Sequence, residues 1–388
     1  MNSNRLKRVA LLIETSKAFG RRLLDGISQY VRIHENWVLF VHERSLGDPI
    51  PPWLKDWKPD GIILRTNSLD QYEELQQLNI PIINLGEIEI ESAPMIYCSD
   101  DEIVKMAIEH LTERGHKQVA YLSNFTHTTW SDARLEAFKR ETEKRKLKAH
   151  IYEPYTPSNN TNSQEDNLAN WLINLPKPTG ILCCYDVMAR NVLDLCHELD
   201  IAVPEHLAII GVDNDEIICD LAYPPLTSVD QNVEHIGFEA AAMLQKMMND
   251  ETVPLTTTYT SPKGVIKRRS TDALAVSDAL VRNAITYIQN NISAALSVNE
   301  LADHLIVSRR TLERQFTTHL GYSPHKAITD ALTDRLKFLL IESNYSLKQI
   351  SRMTGFKQYE YLFIFFKRHT KMTPNEYRNQ YQQDPAPS

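Results

Sequence analysis

At 388 residues the chain is too long for a single hydrophobic core, so two or three domains are expected. It contains no apolar run of about eighteen residues, so no membrane-spanning helix is expected. Its five cysteines lack metal-ligand spacing, which favours reduced thiols in a cytoplasmic protein. The net charge of −8 argues against DNA binding only if the charge is averaged over the whole chain. Residues 275–388 hold 14 Lys and Arg against 10 Asp and Glu, whereas residues 1–274 hold 28 against 40.

Residues 6 to 270 alternate between apolar segments and amphipathic segments. The apolar segments predict strands over 8–14, 37–43, 61–65, 80–86, 118–124, 180–185 and 207–213. Spacings of three and four residues predict helices over 19–34, 69–78, 103–114, 133–146, 168–175, 189–199 and 233–249. Apolar strands separated by amphipathic helices are typical of parallel, doubly wound sheets, so two α/β lobes are predicted.

Polar and aromatic side chains directly after these strands are candidate ligands for a sugar. Ligands of such sheets bind beyond the carboxyl ends of the strands, and sugars need bidentate polar groups and an aromatic face. The candidates are Glu14, Lys17, Phe19, Asp100, Trp130, Arg134, Asp186, Asp213, Asn214 and Gln231, with Arg65 and Tyr185 at similar positions. Alternatives remain open: Asp213 could cap the following helix, Arg134 could form a surface ion pair, and Trp130 could pack in a loop.

The last part of the chain contains one pattern twice, namely a short helix, a turn and a second helix with one apolar face. The first unit spans 297–320 and begins at Ser297; the second spans 346–369, begins at Ser346 and turns at Gly355. Further helices are predicted over 279–291 and 325–341. These are helix-turn-helix units, and two of them this close can insert their second helices into successive major-groove segments on one face of DNA.

The outward side chains of the two second helices are candidate DNA contacts. They are Arg309, Arg310, Glu313 and Arg314 in the first unit, and Lys357, Gln358, Tyr359, Glu360, Phe363 and Lys367 in the second. Arginine can bind guanine bidentately, glutamate can accept a hydrogen bond from cytosine N4, and apolar side chains such as Phe363 and Ile364 suit thymine methyl groups. Any of the charged residues could instead be a solvated helix charge.

Residues 279–388 resemble the DNA-binding domain of AraC/XylS-type transcription regulators. The matching positions are Leu301-Ala302, Ser308, Leu312, Arg314, Phe316, Gly321, Pro324, Ile350, Gly355-Phe356, Tyr361, Phe366-Lys367, Thr373-Pro374 and Tyr377-Arg378. The chain departs from the family at Ile364, where an arginine is common, at Lys371, where a glycine is common, and at Leu362, where a phenylalanine is common. The resemblance implies promoter DNA and RNA polymerase as partners, a homodimer, and activation of transcription.

The region before it resembles the effector-binding core of LacI/GalR-type repressors, which is itself similar to periplasmic sugar-binding proteins. The matching runs are HLTERGHKQVAYLSN from His110, VPEHLAIIGVDNDE from Val203, PPLTSVDQN from Pro224 and GFEAAAML from Gly237. The resemblance implies that Asp213 and Arg134 contact the ligand. Trp130 is predicted to be a stacking platform, because sugars need an aromatic face.

Together these features predict a periplasmic-binding-protein-like α/β sensor of two lobes over 1–270, a linker over 271–278, and an all-α DNA-binding domain with two helix-turn-helix motifs over 279–388. The predicted function is a sugar-responsive transcription regulator with no cofactor. The resemblance of the whole chain to regulators that combine these two parts implies an activator of a pentose-utilisation operon with D-xylose as the favoured effector. The alternatives are a regulator that responds to another sugar or sugar derivative, or a two-lobed sugar-processing enzyme. No P-loop, GxGxxG, GxSxG or metal-ligand cluster supports the enzyme.

Overall fold

The structure is a computed structural model and describes residues 5–34, 37–86, 88, 90, 92–126, 128–154, 164–272, 278–343 and 345–381. The chain divides into two compact units, residues 1–274 and residues 275–388. Within the described residues, no helix is long and apolar enough to cross a membrane. All five cysteines are buried, and none forms a disulfide.

The first unit is built from alternating strands and helices. Its strands are β1 (Lys7–Leu12), β2 (Trp37–Val41), β3 (Gly61–Leu64), β4 (Ile82–Asn84), β5 (Met95–Cys98), β6 (Gln118–Leu122), β7 (Lys148–Tyr152), β8 (Thr179–Cys183), β9 (Leu207–Val212), β10 (Thr227–Asp230), β11 (Thr257–Thr260) and β12 (Gly264–Ile266). Its helices are α1 (Ala18–His34), α2 (Leu54–Trp57), α3 (Leu69–Gln76), α4 (Asp100–Glu113), α5 (Thr129–Arg145), α6 (Gln164–Asn174), α7 (Asp186–Glu198), α8 (Glu216–Leu221) and α9 (Val233–Met248), followed by a 3-10 helix at Arg269–Thr271.

The strands form two six-stranded sheets, each the centre of one lobe. The first sheet is parallel throughout, in the order β11-β5-β4-β3-β1-β2. The second has the order β12-β10-β9-β8-β6-β7, and only β12 runs antiparallel to its neighbour. The chain passes from the first sheet to the second through α4, returns through α9, and crosses again between β11 and β12. Strands β3, β8 and β9 are buried along their whole length, as expected for parallel strands covered on both faces.

Two glycines allow α9 to pack closely on α1 and so assign α9 to the first lobe. A Cβ on Gly26 would lie 1.9 Å from the carbonyl oxygen of Glu234, and a Cβ on Gly237 would lie 2.1 Å from that of Leu23. Any side chain at either position would therefore separate the two helices. As a result, the start of α9 is fixed to the first lobe immediately after β10 of the second sheet ends.

The second unit consists of seven helices among the residues described. They are α10 (Ala279–Asn290), α11 (Val298–His304), α12 (Arg309–Leu320), α13 (Pro324–Glu342), α14 (Leu347–Met353), α15 (Tyr359–Thr370) and α16 (Pro374–Tyr381). The side chains of Ser297, Ser308 and Ser346 each accept a hydrogen bond from the backbone N–H three residues on, which caps α11, α12 and α14. Phe316 and Phe366 are fully buried, one in each of two separate cores, and each core holds one helix-turn-helix unit.

The predicted fold class is confirmed, but several helices begin earlier than predicted. Helix α4 begins at Asp100 rather than residue 103, α5 at Thr129 rather than residue 133, and α7 at Asp186 rather than residue 189. First turns are often polar, because their unpaired backbone N–H groups favour polar and acidic side chains, so the apolar periodicity starts one turn late. The short elements β5, β7, β10, β11, β12, α2 and α8 were not predicted.

Candidate functional site

A cavity of about 770 Å³ lies in the first unit at the carboxyl ends of strands from both sheets. One wall comes from residues that follow β1, β3 and β4 and from β5 itself; the other comes from residues that follow β6, β8, β9 and β10. The cavity therefore sits between the two lobes, where the doubly wound pattern predicts a ligand.

Seven of the ten predicted ligand residues line this cavity, and three do not. Those lining it are Lys17, Phe19, Trp130, Arg134, Asp186, Asp213 and Gln231, together with Arg65 and Tyr185. Glu14, Asp100 and Asn214 are placed behind its surface by hydrogen bonds to other side chains. The other residues that line the cavity were not predicted as ligands, among them the polar residues Asn67 and Tyr97. The signal for Tyr97 was the short apolar run of β5, which ends just before Ser99.

Arg134 is buried and held in one orientation by α4 and by the end of β8. Only 4% of its side chain is exposed; Nε donates to Asp100 Oδ1 at 2.7 Å, and Nη1 donates to the carbonyl of Cys184 at 2.6 Å. Burial lowers the pKa of the guanidinium, but the surrounding acidic groups, Asp100 first among them, together outweigh this effect and keep the pKa above its ordinary value. The guanidinium carbon lies 5.0 Å from the Trp130 ring centroid. The ion pair predicted as an alternative exists, but it is buried rather than on the surface.

Asp213 follows β9 and presents a carboxylate at the cavity wall. Its Oδ1 accepts from Gln231 Nε2 at 2.5 Å, and its backbone has a φ of +112°. Burial raises the pKa of this carboxyl, although Arg134 and the Gln231 hydrogen bond act in the opposite direction. The alternative of a helix cap is wrong, because the side chain of Asp215, not that of Asp213, accepts from the backbone N–H of Ile218 at the start of α8.

Asp186 lines the cavity, but its carboxylate is already used within the protein. Oδ1 accepts from Ser228 Oγ at 2.6 Å, and Oδ2 accepts from the backbone N–H of Asp215 at 2.8 Å. Burial and the nearby Asp213 raise the pKa of this carboxyl well above its ordinary value. Asp186 therefore holds the turn that carries Asp213 and Asp215.

The first lobe contributes an arginine oriented by a buried glutamate. Glu14 is 1% exposed and forms an ion pair with Arg65, whose guanidinium carbon lies 4.7 Å from the Phe19 ring centroid. Glu14 therefore lies behind Arg65, as Asp100 lies behind Arg134. Lys17 is exposed at the opening of the cavity. The two lobes thus each present one arginine, backed by one carboxylate and next to one aromatic ring.

Trp130 occupies the first turn of α5 and is partly exposed to the cavity. Its ring meets that of Tyr185 edge to face, with centroids 5.5 Å apart and planes at 77°. Tyr185 and Arg134 therefore hold the indole in place. Trp130 thus packs against neighbouring side chains, as the alternative interpretation expected, and also faces the cavity.

The predicted contacts of the first helix-turn-helix unit lie on the exposed face of α12. Arg309 and Glu313 pair with each other at 2.8 Å, and their side chains are 57% and 43% exposed. Arg310 and Arg314 are exposed, and no ion pair involving either is found among the described residues. Of the four, only Arg309 and Glu313 therefore have an ion-pair partner among the described residues.

The second helix-turn-helix unit presents a more apolar surface on α15. Lys357, Gln358, Tyr359, Glu360 and Lys367 are exposed, whereas Phe363 is partly buried. Ile364 is 62% exposed and Tyr361 is 57% exposed. Ile364 therefore presents an aliphatic side chain to solvent.

Three models of known domains match separate regions of the chain. Residues 8–97 match a model described as the XylR N-terminal domain, residues 108–271 a periplasmic binding protein-like domain, and residues 301–380 a helix-turn-helix domain. The xylose operon regulatory protein of Escherichia coli K12 is 31% identical over 383 residues, covering 96% of this chain and 97% of the relative. The protein of that name from Haemophilus influenzae is 33% identical over 380 residues, covering 96% and 98%. A solved structure of the xylose-binding transcription activator xylR superposes with a TM-score of 0.82 at 28% identity, covering 98% of this chain and all of that one.

Proposed function

Because the chain belongs to the family of xylose operon regulatory proteins, we propose that D-xylose binds in the cavity of the first unit and controls DNA binding by the second. The chain is a transcription regulator. The observation that supports this effector best is the cavity itself, which Asp213, Arg134 and Trp130 all line, with the Arg134 guanidinium carbon 5.0 Å from the Trp130 ring centroid. We assign sugar binding to residues 1–270, DNA binding to residues 279–388, and the connection between them to residues 271–278.

The side chains suggest how a pentose would be held. Asp213 supplies a carboxylate that accepts from sugar hydroxyls, and Gln231 already fixes its orientation. Arg134 uses Nε and Nη1 within the protein, so we assign Nη2 to a sugar hydroxyl. Trp130 and Phe19 supply aromatic faces for the C–H groups of the ring.

The remaining predicted ligand residues take supporting roles in this proposal. Arg65 and Lys17 complete the site from the first lobe. Glu14 and Asp100 orient the two arginines, and Asp186 holds the turn that carries Asp213. Closure of the two lobes around the sugar would bring both sets of contacts to the same ligand.

On the DNA side, we assign base contacts mainly to the first helix-turn-helix unit. Arg310 and Arg314 are suited to guanine, and Glu313 can accept from cytosine once its pair with Arg309 opens. In the second helix-turn-helix unit we assign base-edge contacts to Tyr359, Glu360, Ile364 and partly buried Phe363. We assign contacts with the DNA sugar-phosphate backbone to Lys357, Gln358 and Lys367. The exposed aliphatic surface at Ile364 favours thymine methyl groups.

We further propose that the protein acts as a cytoplasmic homodimer on tandem half-sites beside a promoter and recruits RNA polymerase. The support is the pair of helix-turn-helix units in each chain, which fits successive major-groove segments, and the name of the solved xylR structure, an activator. The sugar can shift this equilibrium only by binding one of two states more tightly.

The effector is tested by thermal unfolding of the purified protein in the presence of a panel of pentoses and hexoses. A ligand at about a hundred times its dissociation constant adds about 2.7 kcal/mol to the free energy of unfolding. We therefore expect D-xylose to raise the unfolding temperature by a few degrees. A shift with a different sugar alone would replace the effector and keep the architecture. No shift with any sugar would contradict the proposal.

A further inference from the structure

Asn214 follows the sugar-binding candidate Asp213 directly, yet its side chain is bonded elsewhere. It is 6% exposed, and it has a φ of +51°. Its Nδ2 donates to Asp230 Oδ2 at 3.3 Å, and its Oδ1 accepts from Arg268 Nη1 at 3.0 Å. Asp213 and Asn214 are adjacent and both have a positive φ, which is uncommon for residues other than glycine.

Arg268 belongs to the last part of the first unit before the linker. Its backbone N–H donates to Thr227 Oγ1 at 2.9 Å, and the 3-10 helix that follows is buried against β9 and β10. There, Ser270 Oγ donates to the carbonyl of Ile209 at 2.6 Å and accepts from the backbone N–H of Thr227 at 2.8 Å. The guanidinium of Arg268 thus connects the turn after Asp213 to the segment from which the chain continues toward the DNA-binding unit.

The same turn is held from the other lobe by Arg22 of α1. Arg22 Nη1 donates to the carbonyl of Asp213 at 2.7 Å, and Nη2 donates to Asp230 Oδ1 at 2.8 Å. Arg22 also pairs with Glu234 at 2.6 Å, and α1 and α9 pack on each other in the first lobe. A movement of one lobe relative to the other therefore acts on Asp213 and Asp230, the two residues that flank Asn214 in this network.

We infer that Asn214 and Arg268 are positioning residues that transmit sugar binding at Asp213 to the segment leading to the DNA-binding unit. This inference rests on the proposed function, because it assigns the route by which the sugar controls DNA binding. It gives Asn214 a role different from the direct sugar contact predicted from the sequence. The hydrogen bond from Arg268 to Asn214 is expected to differ between the sugar-bound and sugar-free states, since only such a difference can couple the two sites.

The test uses the full chain with Asn214→Gly and Arg268→Met. Glycine keeps the left-handed backbone and removes the side chain, and methionine removes the guanidinium from a chain of similar length. Asp220→Ala is the matched control, because it removes the exposed carboxylate that pairs with Arg268 Nε at 2.9 Å and leaves the contact between Arg268 and Asn214 in place. D-xylose binding is measured by calorimetry, and operator affinity is measured with and without saturating D-xylose.

We expect both variants to bind D-xylose and to show the sugar-dependent rise in unfolding temperature, which also establishes that they fold. Effectors of this kind typically change affinity by about 5–150-fold, and in both variants we expect this factor to disappear. The control should keep it. The double variant should lose no more than either single variant, because one contact carries the effect.

Three results would overturn the inference. If both variants respond to D-xylose as the wild type does, the proposed function stands and the route lies elsewhere. If either variant loses D-xylose binding, its residue belongs to the sugar site and not to transmission. If D-xylose leaves the operator affinity of the wild type unchanged, the proposed function fails and the inference fails with it.

Discussion

The two units place their functional side chains in opposite environments. In the first unit the candidate contacts are enclosed and already bonded, as Arg134 is to Asp100 and Asp213 is to Gln231. In the second unit Arg310, Arg314 and Ile364 stand exposed on helix faces. A small neutral sugar must be recognised by polar groups held in a dry, fixed geometry, whereas DNA is a large polyanion that desolvates an exposed surface as it binds. Loss of a buried ion-pair partner in the first unit should therefore alter folding and binding together, whereas substitutions on the exposed helix faces of the second unit should alter binding alone.

The largest effect is expected for Arg134→Met. The substitution leaves the Asp100 carboxylate buried without its partner, which typically costs about 3–5 kcal/mol of folding free energy. The loss is measured as the change in the free energy of unfolding of the first unit in a denaturant titration. Arg140→Met is the matched control, because Arg140 lies on the same helix and pairs with Asp101 on α4, but with side chains 61% and 69% exposed. The control should change stability by about 1 kcal/mol or less. Equal losses would remove the distinction between buried and exposed pairs.

Asp213→Asn should reduce sugar affinity without a comparable loss of stability. A hydrogen bond to a charged group contributes about 1.5–3 kcal/mol, so the D-xylose dissociation constant should rise by about 10–150-fold. Burial already disfavours the charged form of this carboxyl, so the neutral amide is tolerated in the free protein. Calorimetry and denaturant unfolding on the same sample separate the two quantities. An unchanged dissociation constant would exclude Asp213 as a sugar contact.

The raised pKa of Asp213 also predicts a pH dependence. Because the folded-state pKa lies above the ordinary value of 3.8, the carboxyl takes up its proton at a higher pH than an exposed aspartate does. The stabilisation by this protonated group is fully present below the unfolded pKa and is lost as the pH rises through the folded pKa. The pH dependence of sugar affinity has the opposite sign, because sugar binding needs the ionised carboxylate of Asp213. D-xylose affinity should therefore fall on acidification in the wild type and not in Asp213→Asn; parallel curves would contradict this.

A smaller effect is expected for Arg310→Ala, confined to DNA affinity. Loss of a bidentate contact with guanine should cost about 1–3 kcal/mol and relax specificity at one base pair. Fluorescence anisotropy with single-base-pair operator variants measures both quantities. Arg309→Ala should cost less, because Arg309 must first give up Glu313. A loss that is equal for every DNA sequence would show that Arg310 contacts phosphate.

The smallest effect is expected at Ile364. In the DNA segment that the second helix-turn-helix unit contacts, replacing thymine by uracil removes one methyl group per base. Each such group contributes about 0.8 kcal/mol when buried. The wild type should lose affinity on this DNA, and Ile364→Ala should bind both DNAs alike. Equal binding of both DNAs by the wild type would show that α15 does not read thymine methyl groups.

The sequence predicted which candidate side chains would lie close together better than it predicted what each one contacts. The rule that parallel strands converge at their carboxyl ends brought Asp213, Arg134 and Trp130 to one cavity. It could not separate Asp213 from Asn214, which are adjacent but bond in different directions. The partners that decide this lie far along the chain, as Arg268 lies 54 residues from Asn214 and Arg134 lies 34 from Asp100. Hydrophobic periodicity carries no information about such pairs.

The DNA-binding unit was predicted more fully, because its information is local. Serine caps, apolar spacing and turn residues such as Gly321, with a φ of +75°, all act within a few residues. Even so, the exposure of Tyr361 and Ile364 could not be predicted, because it depends on which face of α15 packs against the core. In the first unit the short strands β5 and β10 were missed, and with them the cavity residue Tyr97.

The most direct measurement is the affinity of the full chain for a xylose-operon promoter fragment, with and without saturating D-xylose, by fluorescence anisotropy. If the sugar closes the first unit and thereby positions the second, D-xylose should raise operator affinity by about 5–150-fold, as is typical of allosteric coupling. L-arabinose at the same concentration serves as the comparison sugar. Identical operator affinities with and without D-xylose would contradict the account, because the cavity and the two helix-turn-helix units would then be uncoupled.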